Sequence, residues 1–346
     1  MDEIAALIAS ARKRFAPDSR LAIFDVEYAF AGGDLVLSGA STEAVGIATL
    51  VDEARALSAT GIVVDRVRRL PDAALGERRF AVVRAAFAPV LAAPRASATQ
   101  TSQNLLGATV ELLERHGPWV RVRGRDGYLG WTHHGYLVVH DAEGAAAWTH
   151  PSRGKMALSL DALIVDESGQ PVVRLPWGAR AVLLEDGRVA LPDGRRGRVA
   201  AGEIVSGDDL PRHFPLSGAA VVETARRWAG TPYLWGGVTT SGADCSGFVQ
   251  SVFRVHGLEL PRDSDMQARC GEEVRAGDAF ENLHAGDLLF FAESGNAVDH
   301  VAISAGGGRI VHAAITNGGV AEDDLTADYE VAARLRSIFH SARRVI

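Results

Sequence analysis

The chain is poor in sulfur, with two cysteines and three methionines among 346 residues. Two cysteines cannot build a zinc site of four thiolates, and no metal-ligand spacing surrounds them. A disulfide between Cys245 and Cys270 would consume the thiol whose surroundings point most clearly to chemistry. We therefore expect no metal and no structural disulfide, and thiol chemistry at Cys245 would require no organic cofactor.

Long apolar runs and an excess of basic charge are also lacking. No stretch approaches the roughly 18 apolar residues that a membrane-spanning helix needs. The 36 basic and 43 acidic residues give a net charge of −7, and no basic patch carries interleaved aromatics. We expect neither a membrane span nor nucleic acid as a partner.

Residues 1 to 15 predict an amphipathic helix rather than a secretory signal, because their charges begin acidic and their apolar stretch is short. The chain as given is therefore expected to be cytoplasmic. It would be periplasmic or secreted if a signal has been removed. The oligomeric state has no sequence signature.

The length of the chain and its 47% apolar residues predict several domains in an overall α+β, multidomain fold. Residues 1–78 alternate helix and strand signals, whereas short strands at regular spacing follow them and indicate small barrels. Helices and then antiparallel strands close the chain. The predicted domains are a small α+β unit (1–78), a first barrel (79–145), a second, degenerate barrel (150–212) and an α+β unit (213–346).

Two of these domains carry definite secondary-structure patterns. In the first, strands are expected over 21–30, 35–39 and 62–67 and a helix over 42–58. In the last, the patterns predict helices over 221–229 and 245–256, with Gly257 ending the second, and strands over 287–291, 301–304, 309–312 and 333–336. Nothing in the first domain has a catalytic pattern.

Cys245 follows a glycine-rich loop and begins the second of these helices. Asp244 stands at the N-cap position and Ser246 in the first turn. A thiol at a helix N-terminus lies near the positive end of the helix dipole, which favours the reactive thiolate. The backbone amide there is also a candidate oxyanion donor. The alternative is a buried structural cysteine, which is common; Tyr233 and Trp235 nearby favour the catalytic interpretation.

Two histidines complete a possible catalytic set. A hairpin turn centred near Gly306 would place His300 directly opposite His312 on one face of the sheet. His300 could then take the thiol proton while His312 orients the imidazole. The alternatives are two satisfied core histidines, or a register slip of one residue that separates the pair. The other nine histidines have no comparable context.

Six motifs in order make residues 216–346 similar to the NlpC-type family of bacterial cell-wall cysteine peptidases, which are papain-like. The motifs are Pro-Tyr-Leu-Trp-Gly-Gly (232–237), Asp-Cys-Ser-Gly-Phe (244–248), Leu-Pro-Arg-Asp-Ser (260–264), Gly-Asp-Leu-Leu-Phe-Phe (286–291), Asp-His-Val-Ala-Ile (299–303) and Ile-Val-His-Ala (310–313). The resemblance implies Cys245 as nucleophile, His300 as base and His312 as third member. Residues 105–110 and 127–131 resemble bacterial SH3-like domains, which assigns the first barrel, and residues 155–210 resemble a second, more degenerate copy.

The combination of domains resembles the subgroup of γ-D-glutamyl-L-diamino acid endopeptidases. The resemblance implies murein peptides with a free N-terminal L-Ala as substrates, cut before L-Lys or meso-diaminopimelate in peptidoglycan turnover or recycling. In that subgroup an SH3-like domain walls off the cleft, and acidic groups with a tyrosine hold the amine. Carried over, Asp263 is an amine ligand and Tyr128 the tyrosine. The remaining substrate-binding candidates are Tyr233, Trp235, Asp244, Ser246, Arg262 and Ser264.

One position departs from the subgroup, which usually has a glutamate where this chain has Ala108. Glu111 or Glu114 is a possible substitute. Asp263 could instead be a helix cap, and Tyr128 a barrel-core aromatic.

Three functions remain open at this point. The first is the endopeptidase. The second is a related thiol amidase or acyltransferase on another acyl substrate, since one triad serves several chemistries. The third is a catalytically inactive wall-binding protein, against which the intact Cys245, His300 and His312 argue.

Overall fold

A computed structural model describes residues 3–57, 61–293, 295 and 297–346. The N-terminal unit is a three-stranded sheet with two helices on it, sharing buried Ile8, Leu37 and Ile47. Strands β1 and β2 form a hairpin, and β3 joins β2 in parallel. Its elements are α1 (Glu3–Phe15), β1 (Phe24–Ala31), β2 (Asp34–Ser41), α2 (Ala44–Arg55) and β3 (Val63–Arg69).

The order predicted for this unit is confirmed, with shifted ends. The amphipathic helix α1 buries Ile4, Ile8 and Ala11, which are spaced three and four residues apart. The helix expected over 42–58 ends at Arg55, while residues 1, 2 and 58 lie outside the described part.

The first barrel is a seven-stranded antiparallel sheet in the order β10-β4-β7-β8-β9-β5-β6. Alternating residues such as Val110, Leu112, Val120 and Val122 face its core. Its elements are β4 (Phe80–Val83), β5 (Phe87–Leu91), β6 (Gln100–Leu105), β7 (Thr109–His116), β8 (Trp119–Arg123), β9 (Leu129–His133), β10 (Leu137–His140) and the following helix α3 (Ala142–Thr149).

The second barrel closes on one long strand, because β11 pairs with β12, β13 and β15. Alternate residues of its strands, among them Ala162, Ile164 and Leu175, fill its centre. Its elements are β11 (Lys155–Val165), β12 (Pro171–Leu175), β13 (Arg180–Leu183), β14 (Val189–Ala190) and β15 (Arg196–Ser206), after which α4 (Leu210–His213) leads into the last unit.

The last unit packs helices on a six-stranded antiparallel sheet ordered β18-β23-β19-β20-β21-β22. Helix α6 lies against the sheet, so that Phe248 and Val252 join Phe290 and Val301 in one core. This packing sets the start of α6 beside the start of β20. The elements are α5 (Gly218–Arg226), β16 (Val238–Thr239), β17 (Gly242–Ala243), α6 (Cys245–Val255), α7 (Ser264–Gln267), β18 (Glu272–Val274), β19 (Leu288–Phe291), β20 (His300–Gly306), β21 (Arg309–Ala314), β22 (Gly319–Asp324), α8 (Glu330–Ser337) and β23 (Phe339–Arg344).

The strand predicted over 333–336 is wrong, because these residues lie in α8. The local alternation of apolar and basic residues suggested a period of two. Ala332 and Leu335, three residues apart, are the positions that the helix buries. Helical spacing over the longer window therefore outweighs the short alternation.

The described part of the chain holds both cysteines as free thiols. Within it, no helix is long and apolar enough to cross a membrane. Its His, Cys, Asp and Glu side chains nowhere gather into a set of three that could hold a metal ion.

Candidate active site

Cys245 is the first residue of α6, behind a loop that two short strands hold in place. Asp244 caps the helix as predicted, since one carboxylate oxygen accepts from the Gly247 amide at 2.7 Å. Its other oxygen accepts from the Gly236 amide at 2.8 Å. Gly236 has a φ of +73°, and a β-carbon there would lie 2.8 Å from the carbonyl oxygen of Gln100 in the first barrel. The loop before the thiol is thus fitted to that barrel.

Burial dominates the electrostatics of the Cys245 thiol. Burial raises its pKa to about 12 and Asp244 adds to the effect, while the backbone amides of Val301 and Ser246 oppose both. The sequence predicted that the helix start favours the thiolate, whereas burial of the sulfur acts in the opposite direction and raises its pKa. Desolvation of the buried sulfur outweighs the dipole, so the thiol needs a base to remove its proton.

The two histidines meet, although not in the predicted register. Strands β20 and β21 pair Ile303 with Val311 and Ser304 with Ile310, so the turn is centred one residue later than expected. This shift offsets the pair by two positions, which preserves the face of the sheet. His300 Nε2 lies 2.8 Å from His312 Nδ1.

A carboxylate that the sequence did not single out completes the chain of contacts. His312 Nε2 lies 2.8 Å from Asp323 Oδ2, with His312 1% exposed. Asn317 donates to the same oxygen at 2.7 Å, and the Tyr329 hydroxyl donates to Oδ1 at 2.8 Å. The bond to His312 is the main cause that lowers the pKa of Asp323, so this carboxyl stays ionised.

These contacts fix the tautomers of both rings. An ionised Asp323 accepts a proton-bearing Nε2 from His312, which makes His312 Nδ1 an acceptor. His300 then donates from Nε2, so its Nδ1 is the nitrogen that can accept the thiol proton. Burial lowers the pKa of His300 and the neighbouring His312 lowers it further, so the imidazole rests neutral, as a base must.

Arg262 lies beneath the cleft rather than in its wall, because it is 1% exposed. Its two terminal nitrogens contact the Asp244 carboxylate at 2.7 and 3.0 Å, and Nη1 also donates to Ser246 Oγ at 3.0 Å. Burial alone would lower the pKa of Arg262, but the charge of Asp244 raises it above its usual value. Nε donates to Ser102 Oγ of the first barrel at 2.9 Å. The predicted lining residue is thus a brace between two domains.

The structure brings Asp263 and Tyr128 together across a domain boundary. Tyr128 Oη donates to Asp263 Oδ2 at 3.1 Å. Asp263 precedes α7 without capping it through its side chain, which removes the helix-cap alternative. Ser264, the first residue of α7, is buried. The same Asp263 oxygen accepts from Arg20 of the N-terminal unit at 2.8 Å.

The loop before Cys245 supplies the two aromatic candidates. Burial raises the pKa of the Tyr233 phenol, and the side chain packs against the core cluster that contains Cys245. Trp235 is 63% exposed, and its carbonyl accepts from Gln100 of the first barrel at 3.2 Å. The Val238 amide donates to Gln103 Oε1 at 3.1 Å. The first barrel therefore runs alongside the loop that carries both rings.

Neither proposed substitute for the acid at Ala108 reaches this pocket. Glu111 pairs with Arg123 at 2.9 Å. Glu114 is buried and pairs with Arg68 of the N-terminal unit at 2.8 Å. The acidic neighbour of Asp263 is Asp265, two residues further along the chain. Asp323, Arg20 and Asp265 are the residues missed by the sequence argument, and only Asp265, adjacent to a motif, had a local signal.

Two family models match the chain. Residues 230–337 match the NlpC/P60 family, and residues 90–134 match the bacterial dipeptidyl-peptidase Sh3 domain. These ranges contain Cys245, His300, His312, Asp323, Asp263 and Tyr128. The match to the Sh3 domain lies in the first barrel, so the chain combines an SH3-like domain with an NlpC/P60 domain, as the sequence predicted.

Several known proteins are similar to this chain over most of its length. The γ-D-glutamyl-L-lysine dipeptidyl-peptidase of Bacillus subtilis is 31% identical over 235 residues, 61% of this chain and 71% of that protein. The protein of the same name from Bacillus cereus is 29% identical over 61% of this chain and 66% of its own length. The chain thus spans about two thirds of these relatives.

A solved structure extends the likeness to the fold. The NlpC/P60 family protein from Bacillus cereus ATCC 10987 superimposes with a TM-score of 0.63 at 25% identity, covering 77% of this chain and 99% of that one. The expected α+β multidomain fold, with an SH3-like barrel ahead of a papain-like unit, is confirmed. From its sequence, its fold and its relatives, this chain belongs to the NlpC/P60 family of cysteine peptidases.

Proposed function

We propose that the protein hydrolyses the bond between γ-D-glutamate and a diamino acid, L-Lys or diaminopimelate, in murein peptides that begin with a free L-Ala. The observation that carries this proposal is the contact between Tyr128 and Asp263, which sets a carboxylate and a phenol from two domains at one place. Relatives named γ-D-glutamyl-L-lysine dipeptidyl-peptidases support the same substrate class.

The first chemical step is attack by the Cys245 sulfur on the γ-glutamyl carbonyl carbon. His300 Nδ1 takes the thiol proton as the C–S bond forms, since both groups are neutral at rest. Asp323 favours this transfer because the positive charge that develops on His300 is shared through His312. The Cys245 amide, at the start of α6, stabilises the oxyanion.

The intermediate then collapses and the C–N bond to the diamino acid breaks. His300 returns its proton to the leaving amine, which departs with the rest of the peptide. The thioester that remains is hydrolysed when His300 removes a proton from water and the hydroxide adds to the acyl carbon. The dipeptide leaves as a carboxylic acid, and the thiol regains its proton.

The pocket at Asp263 explains a cut two residues from the N-terminus. Burying an ammonium without a partner is costly, and a carboxylate with a phenol compensates for that cost. The first barrel closes the cleft on this side through its contacts to the loop over 235–238. When the free amine of L-Ala binds there, the γ-carbonyl of the second residue, D-Glu, is the one that reaches Cys245.

Product identification tests this proposal directly. The protein is incubated with L-Ala-γ-D-Glu-L-Lys and with the diaminopimelate tripeptide, and the products are resolved by mass spectrometry. The expected products are L-Ala-γ-D-Glu and the free diamino acid. Transfer of the acyl group to an added amine in place of water would favour the acyltransferase, and binding without cleavage would favour the inactive wall-binding protein; either result would contradict the proposal.

A further inference from the structure

The N-terminal unit, which lies outside both matched ranges, contacts Asp263 through the side chain of Arg20. Arg20 stands in the turn between α1 and β1. It contacts Asp18 through Nε and Nη2 at 2.9 and 2.7 Å, and Asp265 through Nη1 and Nη2 at 2.7 Å each. Nη1 also donates to Asp263 at 2.8 Å. All five N–H donors of the guanidinium are thereby used.

The three carboxylates do not receive equal shares of this cation. Asp18 and Asp265 are held by both oxygens, whereas Asp263 uses Oδ2 alone for both Arg20 and Tyr128. Among the described residues, Asp263 Oδ1 has no hydrogen-bond partner, and the side chain does not cap α7. Arg20 and Tyr128 therefore fix one oxygen and leave the other as an acceptor.

The charges around Arg20 do not balance. Three carboxylates surround one guanidinium, which leaves a surplus of two negative charges. Hydrogen bonds to Asp265 and Asp18 raise the pKa of Arg20, and bonds from Arg20 lower the pKa of both these acids. Arg269 contacts Asp265 at 3.4 Å but is 72% exposed, so water screens it. A cationic ligand at Asp263 would complement the remaining charge.

The turn that carries Arg20 is docked firmly on the first barrel. The Leu129 amide donates to the Arg20 carbonyl at 2.8 Å, one residue after Tyr128. Ile23 and Leu70 of the N-terminal unit share a buried cluster with Leu113 and Leu129 of the barrel. Arg20 and Tyr128 thus approach Asp263 from two domains that are fixed to each other.

We propose that Arg20 is a positioning residue for the substrate amine, and that the N-terminal unit completes the dipeptide pocket. By holding Asp263 Oδ2 against Tyr128, Arg20 presents Oδ1 to the ammonium of L-Ala. Asp18 and Asp265, each bound to Arg20 through both oxygens, add negative charge behind this arrangement, whereas Ala108 supplies none. The inference rests on the proposed function and gives the N-terminal unit a role in it.

Steady-state kinetics of Arg20→Ala tests the role on L-Ala-γ-D-Glu-L-Lys and on its N-acetylated form. The KM for the free-amine peptide should rise about tenfold while kcat stays within about twofold, since only binding at the amine end is lost. Turnover of the acetylated peptide should not change. Arg20→Lys should restore part of the loss. Arg55→Ala, an exposed ion pair of the same unit, should match the wild type.

The outcomes separate the two proposals. An unchanged KM in a folded Arg20→Ala protein overturns the role of Arg20 while wild-type cleavage of the peptide stands. If the wild type cleaves both peptides equally, the amine pocket and the role of Arg20 fail together. Should Arg20→Ala unfold, as its thermal midpoint would show, Asp265→Asn takes its place, and an unchanged KM there overturns the inference.

Discussion

The two ends of the cleft are assembled in different ways. At the catalytic end, Cys245, His300, His312 and Asp323 all belong to the last unit and lie on α6 and three adjoining strands. At the amine end, Asp263 meets side chains from two other domains, one of them 243 residues away in sequence. The first arrangement needs one domain to fold, whereas the second needs three domains to dock. Changes at the catalytic end should therefore lower kcat, and changes in docking should raise KM.

The largest effect is expected at the nucleophile. Cys245→Ala should reduce kcat by about 10⁵-fold or more, because removing a nucleophile removes the covalent route altogether. Binding of the tripeptide, measured by calorimetry, should persist because the amine end is intact. Cys270→Ala is the matched control, since that thiol packs at the edge of the core and donates to the Met266 carbonyl at 3.7 Å. Full cleavage by the Cys245→Ala variant would disprove the assignment of Cys245 as the nucleophile.

Replacing Arg262, which joins the loop before Cys245 to the first barrel, should have the largest effect on stability. Arg262→Met leaves Asp244 buried without its partner, which should lower the free energy of unfolding by about 3–5 kcal/mol. Urea unfolding followed by tryptophan fluorescence measures the change. Arg254→Met, which removes an arginine of α6 paired with the exposed Glu259, should cost less than about 1 kcal/mol. Equal losses of unfolding free energy in the two variants would contradict a stabilising role of Arg262 between the two domains.

A smaller catalytic effect is expected at the carboxylate behind the histidines. Asp323→Asn should lower kcat about 100-fold with KM unchanged, because His312 loses the acceptor that fixes its tautomer. Asp324→Asn is the control, since this neighbour bonds to Thr326 instead. A rise in KM with kcat preserved would place Asp323 outside the catalytic end.

The smallest expected effect is a shift in the pH dependence of activity relative to that of an enzyme whose base is an ordinary histidine. Because burial lowers the pKa of His300, the base is protonated only at a lower pH than an ordinary histidine of about 6.5. Activity should therefore persist below pH 6 and fall only in more acidic solution. On the alkaline side, kcat/KM should fall as the substrate amine loses its proton near pH 8. An acid limb centred at pH 6.5 would contradict a His300 whose pKa is lowered and whose ring is neutral at rest.

The difference between local features and features that depend on domain docking also explains how much the sequence could predict. The cap at Asp244, the helix that follows it and the face shared by His300 and His312 depend on local periodicity, so the sequence predicted them. The turn lies one residue later than predicted, which offsets the pair by two positions, because the strands join at Gly307 and Gly308 rather than at a turn centred on Gly306. Helical spacing likewise identified α2 and α6, whose ends differ by at most a few residues.

The remaining features depend on distant contacts. Asp323 lies on β22, a strand for which the sequence offered no clear alternation, and it meets His312 only after that strand pairs with β21. The raised pKa of Cys245 follows from burial of the thiol in the tertiary fold, which no local pattern reports. Arg20 lies in an ordinary polar turn, and its role arises from docking of the N-terminal unit.

The most direct test of a pocket built by three domains is the ratio of kcat/KM for L-Ala-γ-D-Glu-L-Lys to that for its N-acetylated form. A carboxylate and a phenol that hold an ammonium should make this ratio about 100 or more in the wild type, since acetylation removes the charge and leaves Asp263 without a partner. A ratio close to one would contradict the amine pocket.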